Sequence, residues 1–324
     1  MMMKAQFLQE YPSLILRGWH DGGKFSIKES FKNIVFCGMG GSGVAGFLLK
    51  NYIEYLKCKL PFSIVQDYSI PLCNGNDSLC IIASYSGDTD EVISCYKEAK
   101  RRGMVILSLT SGGRLQELCK MNNTYCIILP KGYQPRMTSP YQFMLLLKFF
   151  QNMKLIDDQE KNIEKVMKAL EKDVYREIVA QLSEQLQDKL PLIYTSKLFS
   201  AAALRWKQAL NENTKIHCFT NVLPEMDHNE LLAFCNNKYP YHVIFLTDEE
   251  DSSEIQKRIR ITKEMIKANG TTTSEIAVRG ECHLARLFSA LFMGDTLSYY
   301  LADYYDSNPL DVGDIEVFKK HMRS

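Results

Sequence analysis

The first half of the chain alternates short, nearly unbroken apolar runs with stretches in which apolar residues recur at helical spacing. The runs at 34–37, 62–66, 78–84, 105–110 and 124–129 have the length of strands, and the segments 44–56, 90–102, 115–121 and 141–150 read as helices. A short helical lead-in around 12–19 precedes them. Strands that are apolar on both faces and alternate with helices predict a parallel sheet covered on both sides.

From 151 to 189 the chain turns charged but keeps its period. Ile163, Val166, Met167 and Leu170 fall at i, i+3, i+4 and i+7, and Val174, Ile178 and Leu182 follow at four-residue steps, so amphipathic helices are expected there. Beyond Pro191 the first order of elements returns: strands at 192–195, 216–219, 241–247 and 273–278, helices at 199–210, 253–268 and 284–305. The pattern predicts an α/β protein of two lobes related by duplication, each a mainly parallel sheet of about five strands flanked by helices, with a short C-terminal helix after residue 308. The expected division is 1–150 for the first lobe, 151–190 for connecting helices and 191–324 for the second lobe with its tail.

Composition adds exclusions. The 324 residues are enough for two cores, and 46% hydrophobic with 24% charged residues is ordinary for a globular protein. A net charge of +1 with no basic tail gives nucleic acid nothing to bind. Glu10 and Pro12 interrupt the opening residues before a secretory signal could form, and no run reaches the roughly 18–20 apolar residues of a membrane span. The ten cysteines form no C-x-x-C pair and no metal spacing with the six histidines; Cys37, Cys80, Cys126 and Cys218 lie in apolar runs. Reduced thiols in the cytoplasm are expected, with no metal and no redox cofactor.

The candidate chemistry begins where the run 33–38 meets a glycine-crowded turn and a helix, NIVFCGMGGSGVAGFLLK at 33–50. Backbone amides at a helix N-terminus favour an anion. Gly38, Gly40 and Gly43 also fit the dinucleotide pattern G-x-G-x-x-G, with Asp67 available for a ribose. The end of a later strand carries SYSGDTDE at 84–91, and ligands of open α/β sheets bind outside the carboxyl ends of the strands. Hydroxyls at Ser42, Ser84, Ser86 and Thr89 around the Gly40–Gly41 turn make a compact donor ring for phosphate oxygens, whereas a dinucleotide would leave the hydroxyl loop without a role. A plainer reading of these Ser and Thr residues is helix capping. At the matching positions the second lobe has SKLFS at 196–200 and the acidic DEED at 248–251, so one phosphate site per chain is expected.

These two loops resemble the sugar isomerase (SIS) domain. GYQPR at 132–136, LNEN at 210–213, PEMDHNE at 224–230 and DVGDIEVFKK at 311–320 extend the resemblance, in order along the chain, to the bifunctional phosphoglucose/phosphomannose isomerases. The resemblance implies that Gly40, Gly41, Ser42, Ser84, Ser86 and Thr89 hold the 6-phosphate of a hexose and that Glu212 shuttles a proton between C1 and C2 through a cis-enediol. It further implies that Arg136 stabilises the intermediate, that His228 and a tail lysine assist ring opening, and that His228 reaches its site from the other subunit of a homodimer. These residue types suit the reaction: a carboxylate removes the weakly acidic C–H, a cation faces the enediolate, and histidine moves oxygen protons near neutral pH. Plainer roles exist for each: a turn residue for Glu212, a helix cap for His228, a surface ion pair for Arg136.

Two tail lysines compete. In a helix over 314–322, Ile315, Phe318, Lys319 and Met322 share one face, expected to be buried, which favours Lys319 over Lys320. The chain departs from the family pattern at Met137, Thr138 and Ser139, where small residues are usual, and at Asp311, where a second proline is usual; both bear on sugar preference. Other readings are an isomerase of another phosphosugar, or a non-catalytic phosphosugar-binding regulator, which an appended DNA-binding region would favour.

Overall fold

The computed structural model describes residues 2–171, 175–236 and 238–322, with backbone alone for 2–6. Val174 of the expected connecting helices lies outside the described residues. The chain divides into two compact units, one of residues 9–159 and one of residues 160 onward together with the first eight.

In the first unit, strands β1 (Asn33–Gly38), β2 (Phe62–Val65), β3 (Ser78–Ala83), β4 (Val105–Thr110) and β5 (Tyr125–Ile128) form one sheet in the order β2-β1-β3-β4-β5. Every pairing is parallel, with Val35 opposite Cys80 and Cys80 opposite Ile106. One face buries Val35, Cys37, Cys80, Ile82 and Ile106 against Val92, Tyr96 and Ala99 of α3 (Asp90–Arg101) and Leu115 of α4 (Gly113–Asn122). Helices α2 (Gly40–Tyr55) and α5 (Ser139–Asn152) also belong to this unit, and Gly46 of α2 meets the ring of Phe36. The first helix, α1 (Met2–Gly22), is longer than the expected lead-in and runs through Pro12. Buried Phe7, Tyr11, Leu14, Ile15 and Trp19 lie on one face, and their packing outweighs the hydrogen bond that the proline removes.

In the second unit, β6 (Leu190–Thr195), β7 (Phe219–Val222), β8 (Tyr241–Thr247) and β9 (Thr272–Ala277) are ordered β7-β6-β8-β9, again all parallel. This repeats the first four strands of the other sheet, as a duplication requires, but with four described strands rather than about five. After β9 the chain enters α10 (His283–Tyr304), which is buried over most of its 22 residues among α6 (Glu160–Glu171), α7 (Arg176–Gln185) and α8 (Ser200–Ala209). The charged segment 160–185 thus packs as part of this unit. Strand β7 starts three residues later than expected, because Lys215 turns the chain in the left-handed region (φ 64°) and the Cys218 amide is drawn to Asn211 Oδ1 at 3.1 Å. Helices α9 (Ser253–Ala268) and α11 (Gly313–Met322) complete the unit. All ten cysteines are free thiols, and no described helix is long and apolar enough to cross a membrane.

Candidate functional site

The glycine turn is built as an anion cradle. Met39, extended at φ −115° and ψ 154°, precedes α2 and gives it no side-chain cap, so the first-turn amides of Gly40, Gly41 and Ser42 have the character of helix N-terminal donors. The hydroxyl loop is tied to it: the Tyr85 amide donates to Ser42 Oγ at 3.1 Å, and Ser42 is 3% exposed. Within that loop the Ser84 and Thr89 hydroxyls lie 2.8 Å apart, and the Gly87 amide donates to Ser84 Oγ at 3.1 Å. Thr89 sits at the cap position of α3 without a side-chain cap bond, so capping does not account for its hydroxyl. Ser84 is buried, whereas Ser86 is exposed and accepts from the Asp88 amide at 3.3 Å. Ser42 and Ser84 therefore shape the loops, and Ser86, Thr89 and the α2 amides form their more open rim.

Two glycines are sterically required here. A Cβ on Gly41 would lie 2.5 Å from the Arg136 Cα and 2.6 Å from its amide nitrogen, so the 3-10 turn Pro135–Thr138 can rest directly on the cradle only because residue 41 has no side chain. Gly87 takes φ +75°, and its Cβ would strike the Gly112 carbonyl at 1.9 Å. Ser139 Oγ donates to the carbonyls of Gly41 (3.1 Å) and Arg136 (2.9 Å), which locks the same junction. Arg136 is 2% exposed, so it is not half of a surface ion pair. The structure thus brings together Gly40, Gly41, Ser42, Ser84, Ser86, Thr89 and Arg136 within one unit. Thr138 and Ser139 serve that turn: Thr138 Oγ1 donates to the Pro135 carbonyl at 2.7 Å and receives Gln142 Nε2 at 2.8 Å.

The second unit carries Glu212, His228 and Lys319. Helix α8 does not stop at Ala209 but widens into a π turn, Leu210–Thr214, with Glu212 partly exposed at its middle. Such turns are rare and recur at functional sites. Buried polar groups hold it: Asn213 Nδ2 donates to Ser298 Oγ (2.9 Å), Thr214 Oγ1 to the Ser298 carbonyl (2.8 Å), and one turn away Arg205 pairs with Asp295 at 2.6 Å with both side chains almost fully buried. His228 ends a second short turn, Glu225–His228, and is exposed. Its neighbours in DHNE point inward. Asp227 accepts from Arg258 (3.0 Å) and Thr262 (2.8 Å), and Glu230 accepts from Tyr194 Oη and Asn221 Nδ2, both at 2.7 Å. The two carboxylates are anchors that leave the imidazole outside. The segment after Asn229 is a 3-10 turn, Glu230–Asn236, rather than the α-helix expected there.

The tail corrects one expectation. Helix α11 forms at Gly313–Met322 but has no buried residue: Ile315, Val317, Phe318 and Met322 are 47–64% exposed, and both Lys319 and Lys320 are exposed. Helical spacing aligned an apolar stripe correctly, but the stripe has no cover in this unit, so burial does not separate the two lysines. The acidic segment after β8 is likewise not simply repulsive. Arg286, 1% exposed, donates Nε to Asp248 (2.9 Å) and Nη1 to Glu249 (2.7 Å) and also reaches Glu250, while His283 Nδ1 lies 3.3 Å from Asp248. Burial alone would raise the Asp248 carboxyl; bonds from His283, the Glu250 amide and Arg286 together hold it below the ordinary aspartate value. The position that corresponds to the hydroxyl loop of the first unit is filled here by the protein's own carboxylates.

Among curated proteins, the bifunctional phosphoglucose/phosphomannose isomerase of Caldicellulosiruptor bescii is 33% identical over 327 residues, covering 96% of each chain. That of Aquifex aeolicus is 32% identical, covering 90% of this chain and 91% of its own. The chain belongs to the bifunctional phosphoglucose/phosphomannose isomerase family. Residues 177–322 match the family model described as the bacterial phospho-glucose isomerase C-terminal SIS domain. The C-terminal domain of glucosamine-fructose-6-phosphate aminotransferase from Francisella tularensis has a similar fold, with a TM-score of 0.71 at 18% identity, covering 94% of this chain and 96% of that one. Sequence reasoning about this family member missed the supports: Asn213, Lys215 and Ser298 around Glu212, and Tyr85 between the loops. Asn213 is the last residue of LNEN and Lys215 follows it closely, but only the folded packing reveals what they hold.

Proposed function

We propose that this protein interconverts glucose 6-phosphate and mannose 6-phosphate with fructose 6-phosphate. The observation that carries the reading is the uncapped glycine turn of α2, bonded to a hydroxyl-rich loop and seated against Arg136, in a chain that shares 33% identity with such an isomerase over 96% of its length. In this reading Gly40, Gly41, Ser42, Ser84, Ser86 and Thr89 hold the 6-phosphate through backbone amides and hydroxyls. Substrate charge is thereby fixed, and the proton transfers fall to Glu212, His228 and Lys319.

Glu212 is the base. Its carboxylate takes the proton from C2 of the open aldose and returns it to C1, while the Arg136 guanidinium offsets charge developing on the enediolate oxygen. His228 and Lys319 move the oxygen protons that open and close the sugar ring, a role for which imidazole is suited near neutral pH. The outward aim of His228, between two anchored carboxylates, supports its delivery to a neighbouring subunit, and exposed Phe219 on edge strand β7 and exposed Leu232 support a covered surface there. A homodimer working in the reducing cytoplasm fits these features and the ten free thiols.

A coupled assay of fructose 6-phosphate formed from each hexose 6-phosphate tests the reaction. Glu212→Gln is expected to lower C2 proton exchange by at least about a hundredfold while hexose 6-phosphate still binds. Full turnover by that variant would remove Glu212 from the chemistry.

A further inference from the structure

Helix α11, which carries Lys319, has no buried side chain to locate it, yet the segment before it is fastened to the turn that carries Glu212. Lys215 closes the π turn in the left-handed region at φ 64°, and its ammonium donates to the Glu212 carbonyl and to the Asp311 carbonyl, both at 2.6 Å. Ser307 Oγ adds a bond to the Thr214 carbonyl at 3.1 Å. The root itself is rigid: the Asp311 amide donates to the Asn308 carbonyl (3.1 Å), and Asp311 Oδ1 accepts from the Gly313 amide (2.9 Å) as α11 begins. The carbonyls at the end of α8 lack partners within their own helix, and a cation there is also favoured by the helix dipole.

From this geometry we infer that Lys215 is a positioning residue that pins the tail helix to the Glu212 turn, so that base and tail lysine are held in one register. The inference rests on the roles proposed above for Glu212 and Lys319. It adds that α11 is placed not by its own apolar stripe but by bonds at its root, chiefly one ammonium bridging two backbone carbonyls. Asp311 supplies both the bridged carbonyl and the carboxylate that starts α11.

The test uses the full chain with Lys215→Asn, which tolerates the left-handed backbone but cannot bridge the two carbonyls, and Lys215→Arg, which retains a cationic donor. Lys215→Asn is expected to lower kcat about 10- to 100-fold with KM for hexose 6-phosphate changed less than about twofold, because the phosphate grip is elsewhere. Amide hydrogen exchange across 313–322 should quicken, and Lys215→Arg should restore both readings in part. An unchanged kcat, or a lowered kcat with unchanged exchange in the tail, overturns the inference. Should Lys215→Asn fail to fold, Ser307→Ala weakens the second bond of the same fastening and must quicken tail exchange. Full turnover by Glu212→Gln would sink the catalytic reading alone, because tail exchange reports on the pin independently of activity.

Discussion

His242 illustrates how a single buried residue sets a condition on the whole protein. It is 2% exposed on β8, its two ring nitrogens 2.8 Å from Thr272 Oγ1 and 2.9 Å from Ser274 Oγ on the neighbouring strand. Burial, with a smaller contribution from Lys189, lowers its pKa to about 4. An unfolded histidine titrates near 6.5, so between these values the unfolded chain takes up a proton that the native chain refuses. Stability is therefore full above about pH 6.5 and is lost as pH falls toward 4, by up to about 3 kcal/mol. The urea midpoint should decline across that interval, and His242→Asn should flatten the decline. Glu230 and Asp227 make a different point at the same scale. The two carboxylates of DHNE are structural anchors, and His228 beside Asp227 is left exposed.

At the scale of elements, the junction of α2 with the Pro135–Thr138 turn leaves no room for a side chain at residue 41. Gly41→Ala would place a methyl group against the Arg136 backbone, and neither a strand-tethered helix nor a turn locked by Ser139 can yield cheaply. The cost is expected to be about 1–3 kcal/mol of stability, read by denaturant unfolding. Displacing the first turn of α2 should also raise KM for hexose 6-phosphate more than it lowers kcat, if the amides proposed to hold the phosphate move while Glu212 does not. The alternation of strands and helices was legible from the apolar runs alone, because a strand buried on both faces has no polar positions to confuse the pattern. The widening of α8 at 210–214 was not legible. An LNEN segment fits an ordinary helix end, and it is the buried bonds to Ser298 that give it its shape.

For the whole molecule, the decisive experiment concerns chains in pairs. Should His228 serve a partner subunit, Glu212→Gln and His228→Ala chains are each nearly inactive alone, but refolded together they form mixed dimers in which one site has both groups intact. Partial recovery of turnover is the expected outcome; no recovery despite demonstrated mixing would place His228 in the service of its own chain. The repeated order of strands in the two units gives this division of labour a physical basis. The first unit kept an open helix N-terminus after its leading strand and a hydroxyl loop after its third, while the second filled its corresponding loop with Asp248, Glu249 and Glu250 around Arg286.

The sequence by itself determined the layered α/β architecture, the duplication, the glycine and hydroxyl loops and the family, because each is written in local spacing or in contiguous residues. Tertiary structure alone decided that Arg136 is buried on Gly41, that Asp227 and Glu230 face inward, that α11 has no buried face and that Lys215 joins the tail to the Glu212 turn. Those facts depend on groups up to roughly a hundred positions apart in the chain meeting through packing, which no local period encodes.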